Sequence, residues 1–175
     1  MPSSAHLAVI DYSRPSLQSR LWVFDLEKHR LLFRELVAHG RNSGENDIRF
    51  FFNDNGSLAS SLGLFRTLDS YVGGNDYLLS LDGPDPGFND HALERAIVML
   101  GAPYVNAEVG QKFGRSWECP AVASRMIDTL KGGQFMFSYY PDPHWLASTA
   151  MLNCHRTTLA RNESTGGNIR LYSRY

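Results

Sequence analysis

The feature that most constrains the fold of this chain is a series of short apolar runs separated by turn-forming clusters. The runs are rich in β-branched and aromatic residues, and none exceeds about eight residues, the usual length of a strand. Gly, Pro, Asn and Asp cluster between them and favour tight turns, so antiparallel pairing of neighbouring strands is expected. The sequence therefore predicts a mainly β fold with strands at residues 6–11, 21–25, 31–38, 62–67, 77–81, 95–99 and 134–140.

One segment has helical rather than strand periodicity. Apolar side chains recur at helical spacing over residues 121–131, and Gly132-Gly133 ends the pattern. This predicted helix begins directly after Cys119. Because the peptide dipoles at a helix N-terminus favour an anion, we expect such a helix to lower the pKa of the Cys119 thiol.

The length of the chain suits a single domain. Its 175 residues, 43% of them apolar or aromatic, are enough for one core, and a second independent domain would be cramped. The hydrophobic periodicity weakens near residue 148, so we predict one domain over residues 1–147 and an irregular tail over residues 148–175. In residues 169–175, apolar and polar side chains alternate well enough to predict an edge strand, and disorder is the alternative.

Charge and hydropathy exclude several classes of partner. A net charge of −1 argues against a nucleic-acid partner and against binding to an anionic membrane. No window approaches the roughly 18 consecutive apolar residues of a membrane span, and the first residues lack the basic and apolar regions of a secretory signal. We therefore expect a cytosolic chain or a mature or trimmed form of an exported protein.

The chain has two cysteines, Cys119 and Cys154. They are compatible with a disulfide or with a reactive thiol.

Several segments of the chain, taken in order, form a recognisable pattern. The most specific is Gly114-Arg115-Ser116-Trp117-Glu118-Cys119-Pro120-Ala121, which follows an apolar run ending at Leu100-Gly101. The other segments are residues 12–16, 20–25, 37–46, 60–63, 81–83, 87–90 and 95–99. With these segments, the chain resembles the murein L,D-transpeptidases over roughly residues 7–145, and in particular the second YkuD-like subgroup.

This resemblance implies a fold, a reaction and a location. The fold is an L,D-transpeptidase-like β-sandwich with a short helix following the cysteine. In the reaction, a cysteine thiolate attacks an amide between an L and a D centre of a peptidoglycan stem peptide, D-alanine leaves, and an amine or water resolves the thioester. The family implies no metal or organic cofactor, and a periplasmic or cell-envelope location.

The site residues are carried over position by position. Cys119 matches the nucleophile, Ser116 matches the hydroxyl residue of the motif, and Gly101 matches the glycine that follows the catalytic histidine of the family. Arg115, with Gly114, matches the preceding loop. The candidate substrate-binding residues are Arg115, Arg95 and Trp117.

Two positions depart from the family pattern. Leu100 stands where the family has its catalytic histidine, and Glu118 stands where it has a glycine before the cysteine. A leucine cannot take a proton, and a general base typically contributes about 10²- to 10⁴-fold. A carboxylate beside the thiol raises the thiol pKa, and a side chain strains the loop if the glycine uses a backbone angle that Cβ disfavours. Ordinary turnover is expected to collapse unless another group replaces the base.

Three alternatives address the missing base. His39, at the end of the run 31–38, could lie close to Cys119 with Glu118 as the third member of a triad, although a histidine at a strand end more often bonds a loop. His91 could serve instead, against the simpler interpretation of a solvated side chain. Leu100 and Glu118 could also be changes introduced into the sequence.

Other residues have simpler interpretations. Arg95 is interpreted as an anchor for loop carbonyls or a carboxylate, with substrate contact as the alternative. Phe50-Phe51-Phe52 is interpreted as core or a buried edge. A metal site built from His144 with Cys154-His155 is disfavoured, because no second close pair of ligands exists.

Three functional hypotheses follow. The first is a cysteine L,D-transpeptidase or L,D-carboxypeptidase that acts on peptidoglycan stem peptides through Cys119 with an unconventional base, with catalysis possible at a reduced rate because of Leu100 and Glu118. The second is a degenerate pseudoenzyme that binds stem peptide or a protein partner without forming a thioester. The third is an intracellular protein that reuses the scaffold.

Overall fold

Eleven short strands and two short helices make up the described part of the chain. The structure is a computed structural model that describes residues 6–73, 76–106, 115–127, 130, 132–149, 152–153 and 169–170. The elements are β1 His6–Asp11, β2 Leu21–Asp25, β3 Arg30–Glu35, β4 Val37–Ala38, β5 Phe50–Phe51, β6 Gly63–Gly73, β7 Asp76–Asp82, β8 Val98–Gly101, β9 Ala121–Val122, α1 Ser124–Ile127, β10 Phe135–Tyr139, α2 Pro143–Ser148 and β11 Ile169–Arg170.

Nine of these strands form one sheet that curls almost into a closed surface. The order across the sheet is β3-β2-β1-β10-β6-β7-β8-β9-β4. β3 and β4 are separated in sequence by Leu36 alone, yet they occupy opposite ends of this order. The sheet must therefore bend until its two edge strands meet. The predicted mainly β fold with a short helix after the cysteine is confirmed.

Antiparallel pairing dominates the sheet, as the turn-rich sequence predicts. The exceptions are the parallel pairs β1–β10 and β8–β9. The first joins the beginning of the domain to its last large strand, with Leu7 opposite Phe135. The second places the segment that follows the cysteine against the strand that ends at Gly101.

The predicted helix over residues 121–131 is wrong at its start. Ala121 and Val122 form β9, which pairs with β4 on one side and β8 on the other, and both residues are buried. Backbone pairing in the interior outweighs the helical periodicity of these residues. α1 begins only at Ser124 and spans four residues in the described chain. The cysteine therefore does not stand at a helix N-terminus, and the predicted lowering of its pKa by a helix dipole does not apply.

Other boundaries shift for local reasons. The run 95–99 becomes a strand only from Val98, because Arg95 and Ala96 lie in a turn where Ala96 has a φ of 54°. The run 31–38 divides into β3 and β4.

A separate two-stranded sheet is formed by β5 and β11. Phe51 of β5 is buried, which agrees with its interpretation as a core residue. β11 falls within the segment predicted as an edge strand.

The main core fills the inside of the curled sheet, and α2 covers part of it. Trp145 of α2 is fully buried and stacks on Phe137 of β10, with ring centroids 5.6 Å apart. Asp142 caps α2 by accepting a hydrogen bond from the Trp145 N–H at 2.9 Å. Neither helix of the described residues has the length and apolar character needed to cross a membrane.

Candidate active site

Cys119 lies in a loop that leads into β9, and its thiol is half-buried and not in a disulfide. The Val98 N–H of β8 donates to Sγ at 3.4 Å. Burial raises the pKa of the Cys119 thiol; the Val98 hydrogen bond and the Arg95 guanidinium act against that shift, and the Glu118 carboxylate adds to it. The thiol therefore rests in its protonated form at neutral pH.

Ser116 holds the cysteine loop in place through its backbone and its side chain. Its N–H donates to the His39 carbonyl at 3.1 Å, and its carbonyl accepts from the Arg41 N–H at 2.9 Å. Its hydroxyl donates to the Cys119 carbonyl within the loop. Because all these hydrogen bonds are to backbone groups, we interpret Ser116 as a residue that positions the loop.

Leu100 and Gly101 end β8 beside the cysteine loop. Leu100 pairs with Ala121 of β9, and its N–H donates to the Pro120 carbonyl at 3.2 Å. Its side chain is half-buried and packs against a small apolar cluster that includes Ala121 and Ala102. A Cβ at Gly101 would come within 3.0 Å of Ile127 Cγ2, so the glycine allows α1 to pack closely on β8.

Arg95 is the buried anchor of this region. Its guanidinium is fully shielded and donates to the Phe52 carbonyl at 2.9 Å, to the Ala59 carbonyl at 2.7 Å and to Ser61 Oγ at 2.6 Å. Nε and Nη2 both reach Oε2 of Glu118, at 3.0 and 2.6 Å. The interpretation of Arg95 as an anchor for carbonyls and a carboxylate is confirmed.

His39 is fully buried at the end of β4, and both of its ring nitrogens are engaged. Arg20 Nη2 donates to Nδ1 at 2.7 Å, and Nε2 donates to the Gly44 carbonyl at 3.2 Å. Burial, then the nearby Arg20 charge, lowers the pKa of His39 to about 4. Both ring nitrogens are thus engaged by groups other than the thiol, and the Glu118 carboxylate is bound to Arg95. The triad of Cys119, His39 and Glu118 stays a prediction.

The other predicted histidines also have local partners. His91 Nδ1 lies 3.2 Å from the Asn53 carbonyl, so this residue bonds a loop rather than the thiol. His144 lies beside the ring of Phe88. Cys154 and His155 lie outside the described residues, and within the part of the chain that the structure describes no three His, Cys, Asp or Glu side chains gather as metal ligands.

A family model for the L,D-transpeptidase catalytic domain matches residues 1–139. The chain belongs to this family. The solved structures similar to it include an L,D-transpeptidase named LdtMt1 in complex with imipenem, at 11% identity and a TM-score of 0.48, covering 77% of this chain and 59% of that one. An L,D-transpeptidase from Mycobacterium smegmatis has 12% identity and a TM-score of 0.48, covering 78% and 59%. L,D-transpeptidase 3 from Mycobacterium tuberculosis has 11% identity and a TM-score of 0.47, covering 78% and 61%.

The chain spans about three fifths of the length of these solved L,D-transpeptidases. A comparison with curated proteins finds no match.

Around the cysteine of this L,D-transpeptidase domain lie the two exposed residues predicted to bind substrate. Arg115 Nη1 donates to the carbonyls of Arg41 and Gly44, both at 3.1 Å, and forms an ion pair with Glu45 at 3.2 Å. Trp117 is 69% exposed. Gly114 lies outside the described residues. Substrate binding by Arg115, Arg95 and Trp117 stays a prediction, although Arg95 is shielded by its anchoring contacts.

The sequence analysis missed the residue that engages His39. Arg20 is fully buried, donates twice to the Val37 carbonyl at 3.1 and 2.8 Å, and lies 5.1 Å from the centre of the Tyr12 ring. Burial lowers the pKa of Arg20 to about 10, so it remains a cation at neutral pH. No local signal in the sequence distinguishes this arginine from those on the surface, because its burial depends on how the sheet closes.

Proposed function

We propose that this protein is an L,D-transpeptidase-like domain of the cell envelope that binds peptidoglycan stem peptides and forms a thioester through Cys119 at an impaired rate. Family membership supports the substrate class. The observation that carries the proposal is the setting of Cys119: a half-buried thiol whose described contacts include a backbone N–H and no imidazole. The nucleophile is therefore retained without the group that normally activates it.

The chemistry requires a thiolate and a route for one proton. Sulfur attacks the carbonyl carbon, the C–N bond breaks, and the departing amine takes up a proton as the thioester forms. An amine or water then attacks the thioester, and the sulfur regains a proton when the thiol is released. Because the pKa of the Cys119 thiol is raised by burial, only a small fraction of it ionises at neutral pH. Loss of a general base costs about 10²- to 10⁴-fold, which is the scale of impairment we propose.

Binding without acylation is the second candidate function. The specific observation in its favour is the ion pair between Arg95 and Glu118, which fixes a carboxylate in the residue next to the cysteine. That negative charge adds to the raised pKa of the thiol and opposes an oxyanion formed beside it. In this case the domain would hold stem peptide as a pseudoenzyme.

Intact-mass spectrometry after incubation with a disaccharide-tetrapeptide, and separately with a carbapenem, tests the proposal. We expect a covalent adduct that peptide mapping places on Cys119, that forms faster as the pH rises, and that is absent from Cys119→Ala. Binding of the tetrapeptide without any adduct over the whole pH range would contradict thioester formation and favour the pseudoenzyme.

The same assay measures which positions cause the impairment. The double variant Leu100→His with Glu118→Gly is expected to acylate about 10²-fold faster or more, because it restores an imidazole and removes the carboxylate. Leu100→Met with Glu118→Gln is the matched control, since it keeps the apolar side chain and an oxygen acceptor for Arg95. An equal rate in both double variants would contradict the assignment of the impairment to these positions.

A further inference from the structure

A stacked pair of exposed side chains borders the cysteine loop. The guanidinium carbon of Arg41 lies 4.6 Å from the centre of the Trp117 ring. Arg41 is tied to the loop through its own backbone, because its N–H donates to the Ser116 carbonyl at 2.9 Å. Trp117 is two residues from Cys119 and remains 69% exposed despite the stacking. A large exposed aromatic ring held in a fixed orientation is typical of a binding surface.

Among the described residues, two cations near this pair have no ionic partner. A recess of about 320 Å³ is lined by Arg41, Arg49 and Arg115 together with Glu45 and Asp47. Arg115 is neutralised by its ion pair with Glu45 at 3.2 Å. Among the described residues, neither Arg41 nor Arg49 forms an ion pair, and Asp47 is the one remaining carboxylate of this lining. The described side chains of the recess therefore carry a net positive charge next to Arg41, the partner of Trp117.

The Arg41 guanidinium is suited to a carboxylate. Its Cζ lies over the Trp117 ring at 4.6 Å, a contact that restricts its orientation, and Arg41 is exposed to solvent. A planar guanidinium can bind a carboxylate through two parallel hydrogen bonds, and its prior orientation reduces the entropy lost on binding. The exposed indole adds an apolar surface for the chain that carries the carboxylate.

We propose that Arg41 and Trp117 form a carboxylate-binding subsite for the peptide ligand of this domain. The inference rests on the proposed function for the identity of that ligand as a stem peptide. A stem peptide offers two sources of carboxylate, the C-terminal group and the side-chain groups. Arg41 binds the anionic group, Trp117 packs against the neighbouring apolar atoms, and Arg49 adds to the positive field.

Calorimetric titration of the Cys119→Ala chain tests this subsite, because binding is then measured without acylation. The probes are a stem tetrapeptide with free carboxylates, the same peptide amidated at its C-terminus, and the same peptide amidated on its side chains. We expect one of the two amidated peptides to bind about 5- to 10-fold more weakly than the free acid, which identifies the source of the carboxylate. Equal affinity for all three, or no binding of the free acid, would overturn the inference.

Variants separate the subsite from a general effect of charge. Arg41→Gln in the same background is expected to weaken binding of the free acid about 5- to 10-fold. This variant should then bind the free acid and the more weakly bound amide with equal affinity. Trp117→Ala is expected to weaken both peptides. Arg34→Gln, which removes an exposed cation from β3, should leave all affinities unchanged. An Arg41→Gln chain that still discriminates acid from amide would contradict the role of Arg41.

This outcome is independent of the acylation assay. If Cys119 forms no adduct but the discrimination holds, the thioester proposal fails and the carboxylate subsite stands. If the adduct forms but the discrimination is absent, only the subsite is wrong.

Discussion

At the residue scale, His39 is a histidine held neutral by its surroundings. The Arg20 guanidinium donates to one ring nitrogen and the Gly44 carbonyl occupies the other. The Arg115 charge also lowers the pKa of His39, and a hydrogen bond with the Glu45 backbone raises it. A proton added to the ring would face the Arg20 cation across 2.7 Å in a buried site. His39 therefore serves as a structural acceptor for Arg20, and its carbonyl in turn holds Ser116 of the cysteine loop.

This arrangement predicts that acid destabilises the domain. The pKa of His39 is about 4 in the folded chain against an ordinary value of 6.5, so between these pH values the unfolded chain binds a proton that the folded chain does not. The free energy of unfolding then falls as the pH falls through this window, by up to about 1.4 kcal/mol per pH unit from this group.

Urea denaturation between about pH 4 and about pH 7 measures the slope. His39→Gln can keep an acceptor for Arg20 and a donor for Gly44 without titrating, so its stability should depend less on pH in this range. His144→Gln is the control and should retain the wild-type slope. A His39→Gln chain with an unchanged slope would contradict the assignment.

At the element scale, the contact of α1 with β8 depends on one glycine. A Cβ at Gly101 would lie 3.0 Å from both Ile127 Cγ2 and Ser124 Cα. We expect Gly101→Ala to lower the free energy of unfolding by about 1–2 kcal/mol, because a packed interior accommodates an added methyl only by moving its neighbours.

A double-mutant cycle with Ile127→Ala checks this cause. Ile127→Ala removes one of the two close atoms, so the cost of Gly101→Ala should be smaller in its presence. Strict additivity of the two substitutions in urea denaturation would show that the glycine is not required for packing against Ile127.

The elements differ in how far the sequence could predict them. β1 and β2 have the predicted bounds because each alternates buried and less buried residues between clear turns. β5 and β9 are two residues long, and a strand of that length carries no recognisable period. The start of α1 was missed because Ala121 and Val122 are recruited between two strands that the sequence alone does not bring together.

The same distinction applies to the site. The segments that resemble the family could be found because each depends on residues close in sequence, and the family is confirmed by the match over residues 1–139. The role of Cys119 as nucleophile stays a prediction. Arg95 was predicted as an anchor, but Glu118 as its particular carboxylate and Arg20 as the partner of His39 could not be derived, because these contacts form only when the curled sheet surrounds the residues. Tertiary burial, rather than local pattern, determines which charged residues become anchors.

At the scale of the whole molecule, Arg20 joins the two edges of the curled sheet. Its N–H donates to the Glu35 carbonyl at the end of β3, and its side chain donates to the Val37 carbonyl of β4. It also donates to the Arg14 carbonyl at 3.0 Å and to His39. Arg20 thus links both sides of the seam, through its backbone N–H on the β3 side and through its guanidinium on the β4 side.

Replacing Arg20 is therefore expected to weaken the closure of the sheet. Arg20→Met keeps the approximate length of the side chain but leaves buried acceptors unpaired, and we expect a loss of about 3 kcal/mol in the free energy of unfolding. Arg20→Lys should recover only part of this loss, since an ammonium cannot reproduce the planar fork. Arg34→Met, on the exposed side of β3, should change stability by less than about 0.5 kcal/mol in the same urea titration. Equal stability of Arg20→Met and Arg34→Met would refute the role of Arg20.

The parallel pairing of β1 with β10 also governs the order in which the chain can be built. During synthesis, β1, β2 and β3 emerge early and can pair locally, but the other edge of β1 has no partner until residue 139 has been made. Until then the nascent chain carries an open strand edge, the kind of surface that recruits wrong partners. We expect this pairing between residues far apart in sequence to slow folding, and a chaperone that covers the free edge of β1 to reduce misassembly.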